Sequence, residues 1–161
     1  MNPGQLATRA AVVAAARAWI GTPYHHCADI KGVGVDCAML LVRVFCDLGL
    51  VAPFDPRPYA WDWHLHRSEE RYLAALLERA HAVDAPEPGD IVLFHIGRTY
   101  SHGGIVTKAQ PMTMIHACGS CRRVIEEEIG RNAELAERLP KARYASYFPA
   151  NAQRSAGAPA P

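Results

Sequence analysis

The hydrophobic period of this chain changes once, at a turn-rich run at residues 86–90 (PEPGD), and that change limits the folds open to it. Before the turn, apolar residues recur at helical spacing. Alanine-rich residues 5–19, with Val12, Val13, Ala16 and Trp19 apolar, form a helix closed by Gly21-Thr22-Pro23, since Pro23 disfavours helical geometry at Thr22 and Gly21 supplies a cap. From Cys37, apolar side chains fall at Leu40, Leu41, Val44, Phe45 and Leu48, one stripe of a helix that Gly49 ends. A further amphipathic helix is expected over residues 68–82, capped by Ser68, with Tyr72, Leu76 and Leu77 on one side. After the turn, segments 91–94, 103–107, 112–117, 122–126 and 144–148 read as strands, with a helix over 132–139 before the last. Helices first and strands after predict an α+β fold, N-terminal helices packed on a central antiparallel sheet.

At 161 residues the chain fits one domain, expected over 1–149, followed by an Ala/Pro-rich flexible tail at 150–161. Seventeen basic against sixteen acidic residues leave a formal charge of +1, which argues against a nucleic-acid partner. No window supplies the roughly 20 apolar residues of a membrane span, and the short apolar run after Arg9 lacks the pattern of an export signal. Synthesis and folding in the cytoplasm are therefore expected. In such a setting the five cysteines are free thiols by default, each needing its own explanation.

Cys37 has one at once. Asp36 sits where an N-cap belongs, its carboxylate accepting from first-turn N–H groups, so the thiol opens a helix. That position lowers a thiol pKa from about 8.5 to roughly 3.5–7.5 and favours the nucleophilic thiolate. A buried, inert cysteine is the plainer alternative. A base would decide between them. Most of the eight histidines have ordinary readings in loops or at element ends, but His102 opens one strand and His116 closes the next. A hairpin turning near residues 108–111 brings the two side by side, the arrangement of a base steered by a second polar group.

Five motifs then carry a resemblance: GTPY (21–24), Asp36-Cys37 opening a helix, PGDIVLF (88–94), SHGGIV (101–106) and MIHA (114–117). Their order and spacing, over residues 17 to about 149, resemble the NlpC/P60 family of papain-like cysteine peptidases. The opening WIGTPYHHCADIKGVGVDC is most similar to the phage-encoded branch found with tail genes and gene transfer agents. The resemblance implies that Cys37 is the nucleophile, His102 the general base, His116 the residue orienting it, and Tyr24 an oxyanion donor alongside the Cys37 N–H. It assigns Asp36, Ala38 and Ser101 to substrate binding. It implies no cofactor or metal, a peptidoglycan stem peptide as substrate, cleavage between D-γ-glutamate and a diamino acid, and other phage tail proteins as partners. Action at the host cell wall from a virion tail follows.

The sequence also departs from the family. Ala38-Met39 replaces the usual Ser-Gly after Asp-Cys, which alters specificity and adds bulk beside the nucleophile, and Gly103 stands where valine is usual. Two other readings stay open: a catalytically silent tail assembly module, and a zinc site built from His102, His116, Cys118 and Cys121. Tyr59, Trp61 and Trp63 either cover the core or line a substrate groove. Glu126-Glu127-Glu128 reads as a solvated strand end.

Overall fold

The computed structural model describes residues 3–59, 74 and 77–149, with side chains from residue 8 onward. Helix α1 (Pro3–Arg17) leads through Gly21, at φ +88°, into a small ribbon of β1 (Asp29–Ile30) and β2 (Gly34–Val35), then α2 (Cys37–Asp47). The strands β3 (His81–Val83), β4 (Ile91–Ile96), β5 (Thr99–Lys108), β6 (Thr113–Cys118), β7 (Arg123–Glu128) and β8 (Arg143–Ser146) make one antiparallel sheet in the order β3-β8-β4-β5-β6-β7. Helix α3 (Ala133–Arg138), capped by the Asn132 side chain, links β7 to β8.

The α+β expectation holds. Period-2 alternation along β4 sends Ile91 and Leu93 to one face, where they meet Val12, Leu40 and Phe45 of α1 and α2. Val92 and Phe94 go to the other face, against Leu135 of α3, Val106, Met114 and Ile129. Helix α2 stops as the sequence implies: Gly49 at φ +68° donates to the Cys46 carbonyl and Leu50 to that of Phe45, the paired bonds of a glycine C-cap.

Two expectations need correction. The helix expected over 68–82 does not reach its end, because His81 and Ala82 pair with Ser146 and Ala145 as a sheet-edge strand. Pairing to β8 satisfies backbone groups that a helix end would leave unpaired. Ser68, Tyr72, Leu76, Trp61, Trp63 and the tail at 150–161 lie outside the described residues. The cysteines are not all free either, since Cys118 and Cys121 are joined in a disulfide across the β6–β7 turn.

The PGD turn is a structural joint. Arg9 of α1 donates to the Pro88 carbonyl at 3.1 Å and to Asp90 at 2.7 Å, and its guanidinium lies over Phe148. The second Asp90 oxygen accepts from the Glu87 N–H at 2.8 Å. Gly89, at φ +91°, leaves room for the Arg9 backbone, which a Cβ would approach to 3.3 Å.

Candidate active site

Asp36 organises the nucleophile's helix start. One carboxylate oxygen accepts from the Met39 N–H at 2.9 Å, the other from the Cys27 N–H at 2.7 Å, and the Tyr59 hydroxyl donates to both at 2.9 and 2.7 Å. The Leu40 N–H goes to the Asp36 carbonyl. The first-turn N–H groups of Cys37 and Ala38 are thereby left for the site, as helix starts require. Asp36 is only 2% exposed and filled by internal donors, so it shapes the site from behind and its carboxylate is closed to direct substrate contact. Its hold on Tyr59 gives that aromatic a structural anchor.

The Cys37 thiol lies against the β5 backbone on both sides of His102. It donates to the Ser101 carbonyl at 3.7 Å, and the Gly103 N–H faces it. This stretch of β5 is an open edge, because the register with β6 ends at Ile105 opposite Ile115. Ser101 thus meets the nucleophile through its carbonyl, while its hydroxyl donates to the Ile96 carbonyl at 3.2 Å.

Burial outweighs the helix-start effect on the thiol. Desolvation, joined by the neighbouring Asp36 charge, pushes Cys37 up to about 12, against the opposing pull of the Gly103, Ala38 and Cys37 N–H groups. The helix start alone would lower the thiol, as expected from sequence, but its burial against β5 raises it. Burial, then the proximity of His116, holds His102 down at about 3, and burial alone holds His116 at about 4. The resting site is neutral: a thiol and two uncharged imidazoles.

His102 and His116 do come together, as the hairpin implies. Their Nε2 and Nδ1 atoms are 2.8 Å apart. His102 and Gly104 share one face of β5, and Gly104 lies beneath His116: a Cβ there would come within 2.8 Å of the Ile115 carbonyl and 3.1 Å of the His116 Cβ. The second His116 nitrogen, Nε2, is 2.8 Å from Glu127 of β7. Glu127 is the residue sequence reading missed. Strand alternation separates the three glutamates, sending Glu126 out to Arg17 and Glu127 in to His116. Only the strand register singles it out: Glu127 pairs with Met114, whose side chain is buried on the face that carries His116 two residues on.

Tyr24 sits on an extended segment held on both sides. Its N–H donates to the Arg122 carbonyl at 2.9 Å, and Pro23 and His25 bond to Val35, next to Asp36-Cys37. Burial raises the Tyr24 hydroxyl pKa, with a further contribution from the neighbouring Asp36 carboxylate, so it stays protonated as a donor. Ala38 and Met39 are both buried. The bulk of Met39 is absorbed by the core and meets solvent only at the wall of a groove with Asp29, Arg43 and Phe54.

The zinc quartet does not assemble: Cys118 is bonded to Cys121 and His102 to His116. Among the described residues, the one group of three with ligand atoms close together is His26, Cys27 and Asp36, and the Asp36 oxygens are already engaged.

The structure is similar to that of the NlpC/p60 domain of the peptidoglycan hydrolase SagA, with TM-score 0.56 and 20% identity over 85% of this chain and 96% of that one. It is also similar to the peptidoglycan hydrolase RipB from Mycobacterium tuberculosis, with TM-score 0.53 and 17% identity over 80% of this chain and 62% of that one. At these identities the likeness establishes the papain-like fold. Among curated proteins none matches the sequence. The NlpC/P60 family profile matches residues 21–143, and with that span, three-quarters of its length, the chain belongs to the NlpC/P60 family.

Proposed function

We propose that this chain is a cysteine peptidase that hydrolyses peptidoglycan stem peptides between D-γ-glutamate and the diamino acid, with Cys37 as nucleophile and His102 as base. The observation that carries the reading is the His102–His116 bond beside a helix-start thiol. When a stem peptide enters, the thiol turns from the Ser101 carbonyl and passes its proton to Nδ1 of His102. The thiolate attacks the peptide carbonyl, and the oxyanion is held by the Cys37 N–H and the Tyr24 hydroxyl. The imidazolium returns the proton to the leaving amine, giving a thioester. Water then gives a proton to His102 and attacks the thioester, releasing the acid and restoring the thiol.

The substrate class is supported by family membership and by the names of SagA and RipB, both peptidoglycan hydrolases. Delivery to the cell wall on a phage tail is part of the proposal, supported by the likeness of residues 19–37 to the phage-encoded branch; purified particles lacking the protein would remove it.

Digestion of purified peptidoglycan by wild type and Cys37→Ala, with fragments identified by mass, tests the reading. Fragments made only by wild type, newly ending at D-glutamate, are expected; their absence would sink it. The bond from the thiol to Ser101, in place of one to the imidazole, favours a second reading as a silent assembly module. In that case Cys37 would resist alkylation whether or not substrate is present.

A further inference from the structure

We infer that Glu127 is a positioning residue of the proposed hydrolase: through His116 it fixes which nitrogen of His102 carries a proton, and so makes His102 a base toward Cys37. The inference rests on that functional reading for its consequence, and on hydrogen-bond logic for its substance.

A carboxylate only accepts. The 2.8 Å contact between Glu127 and Nε2 of His116 therefore requires a proton on that nitrogen. A neutral imidazole carries one proton, and burial keeps His116 neutral, so its Nδ1 is a bare acceptor. The next contact, 2.8 Å from His116 Nδ1 to His102 Nε2, then requires the proton on Nε2 of His102. His102 is neutral as well, so its Nδ1 carries the lone pair. Each hydrogen bond fixes the next, and the series ends in an unprotonated nitrogen. Reversing any one tautomer would set two protons or two lone pairs against each other at a half-buried 2.8 Å contact.

Glu127 is itself held. Asn132 donates to the same carboxylate oxygen at 2.9 Å, while its own side-chain oxygen accepts the Leu135 N–H at the start of α3. The carboxylate is thus anchored from the helix behind the sheet, and a solvent-facing glutamate would have no need of such an anchor. Its charge has a second effect: once His102 takes the Cys37 proton, the negative charge of Glu127 favours the imidazolium. Neither effect requires Glu127 to touch substrate.

The test reads tautomers directly. In the full chain labelled with ¹⁵N-histidine, two-bond correlation spectra should show both His102 and His116 with protonated Nε2 and bare Nδ1 at neutral pH. Glu127→Ala should give His116 a mixed tautomer and cut kcat roughly 10- to 100-fold with KM little changed, as losses of outer-shell partners do. Glu127→Gln should keep the tautomers, because its carbonyl can accept from His116 while Asn132 still donates to it, and should recover part of the lost kcat. A protonated Nδ1 on either histidine in wild type would overturn the inference. So would tautomers and kcat both unchanged in Glu127→Ala, or Glu127→Gln as impaired as Glu127→Ala with its tautomers intact. If wild type cuts no stem peptide, the functional reading fails while the spectra still decide the tautomer series.

Discussion

Two buried polar assemblies tie distant parts of this chain together, and they are built on opposite principles. At the Arg9–Asp90 joint the charges are opposite: Asp90 is answered by Arg9 and the Glu87 N–H, and Arg9 by Asp90, the Pro88 carbonyl and the face of Phe148, while its buried Nε makes no hydrogen bond and has the Glu87 carboxylate at 3.5 Å. Along Glu127, His116 and His102 the groups are mostly neutral, and the series stops one bond short, at a nitrogen whose lone pair has no hydrogen-bond partner among the described residues. The closed assembly holds the fold and the open-ended one can do chemistry. Burial by itself distinguishes nothing here, since Asp90 and His116 are equally hidden.

The comparison is easiest to break at its extremes. Cys37→Ala or His102→Ala should lower peptidoglycan cleavage by about 10⁴-fold or more with the thermal midpoint nearly unchanged; a large residual rate would mean that chemistry lies elsewhere. Asp90→Ala should do the reverse, stranding a buried guanidinium and destabilising the fold by about 3–5 kcal/mol in urea titrations, while kcat per folded molecule stays at the wild-type value. An equal loss of kcat in Asp90→Ala would erase the distinction between the two assemblies. Tyr24→Phe, which removes the hydroxyl alone, should cost about 10²-fold in kcat, and an unaltered rate would strip Tyr24 of its oxyanion role. Gly104→Ala crowds the seat of His116 and should cost about 1–3 kcal/mol together with a fall in kcat, because the same contact supports sheet and relay.

Acid should give the broadest effect. His102 and His116 are held below their ordinary pKa in the fold, at about 3 and about 4, whereas in the unfolded chain they take up protons near 6.5. Between those limits the unfolded state binds more protons, so stability rises with pH and is lost as pH falls from about 6.5 towards 4. The urea midpoint should drop between pH 7.5 and 5, and less steeply in His116→Asn. Equal slopes would show that these histidines are not buried neutral.

Much of this was legible from residues alone because it is local. The helical stripe after Cys37, the Asp36 cap and the alternation along residues 91–94 are each set by a few neighbours, and the structure follows them. The His102–His116 meeting was legible as well, since a hairpin leaves few registers. What sequence missed depends on pieces far apart in the chain. Whether the thiol is lowered by its helix or raised by its burial depends on β5, more than 60 residues away, closing over it. The inward turn of Glu127 required the β6–β7 register, without which three consecutive glutamates look alike. The β3 strand depends on β8, which follows some 60 residues later and offers His81 an edge to pair with.

Strand β7 brings two ends of the cleft under one measure. At its start, Val124 and the adjoining Arg122 bond to the segment carrying Tyr24; near its end, Glu127 reaches His116. Sequence change is therefore tolerated very unevenly along a few positions. Added residues in the turn around Gly119 lengthen a surface loop and leave the spacing alone. A single residue inserted between Val124 and Glu127 would turn Glu127 to the opposite face or drag the Tyr24 segment out of place. In a lineage of such chains, insertions should collect at that turn and be purged from the strand, and in the laboratory the turn is the place to splice in a tag.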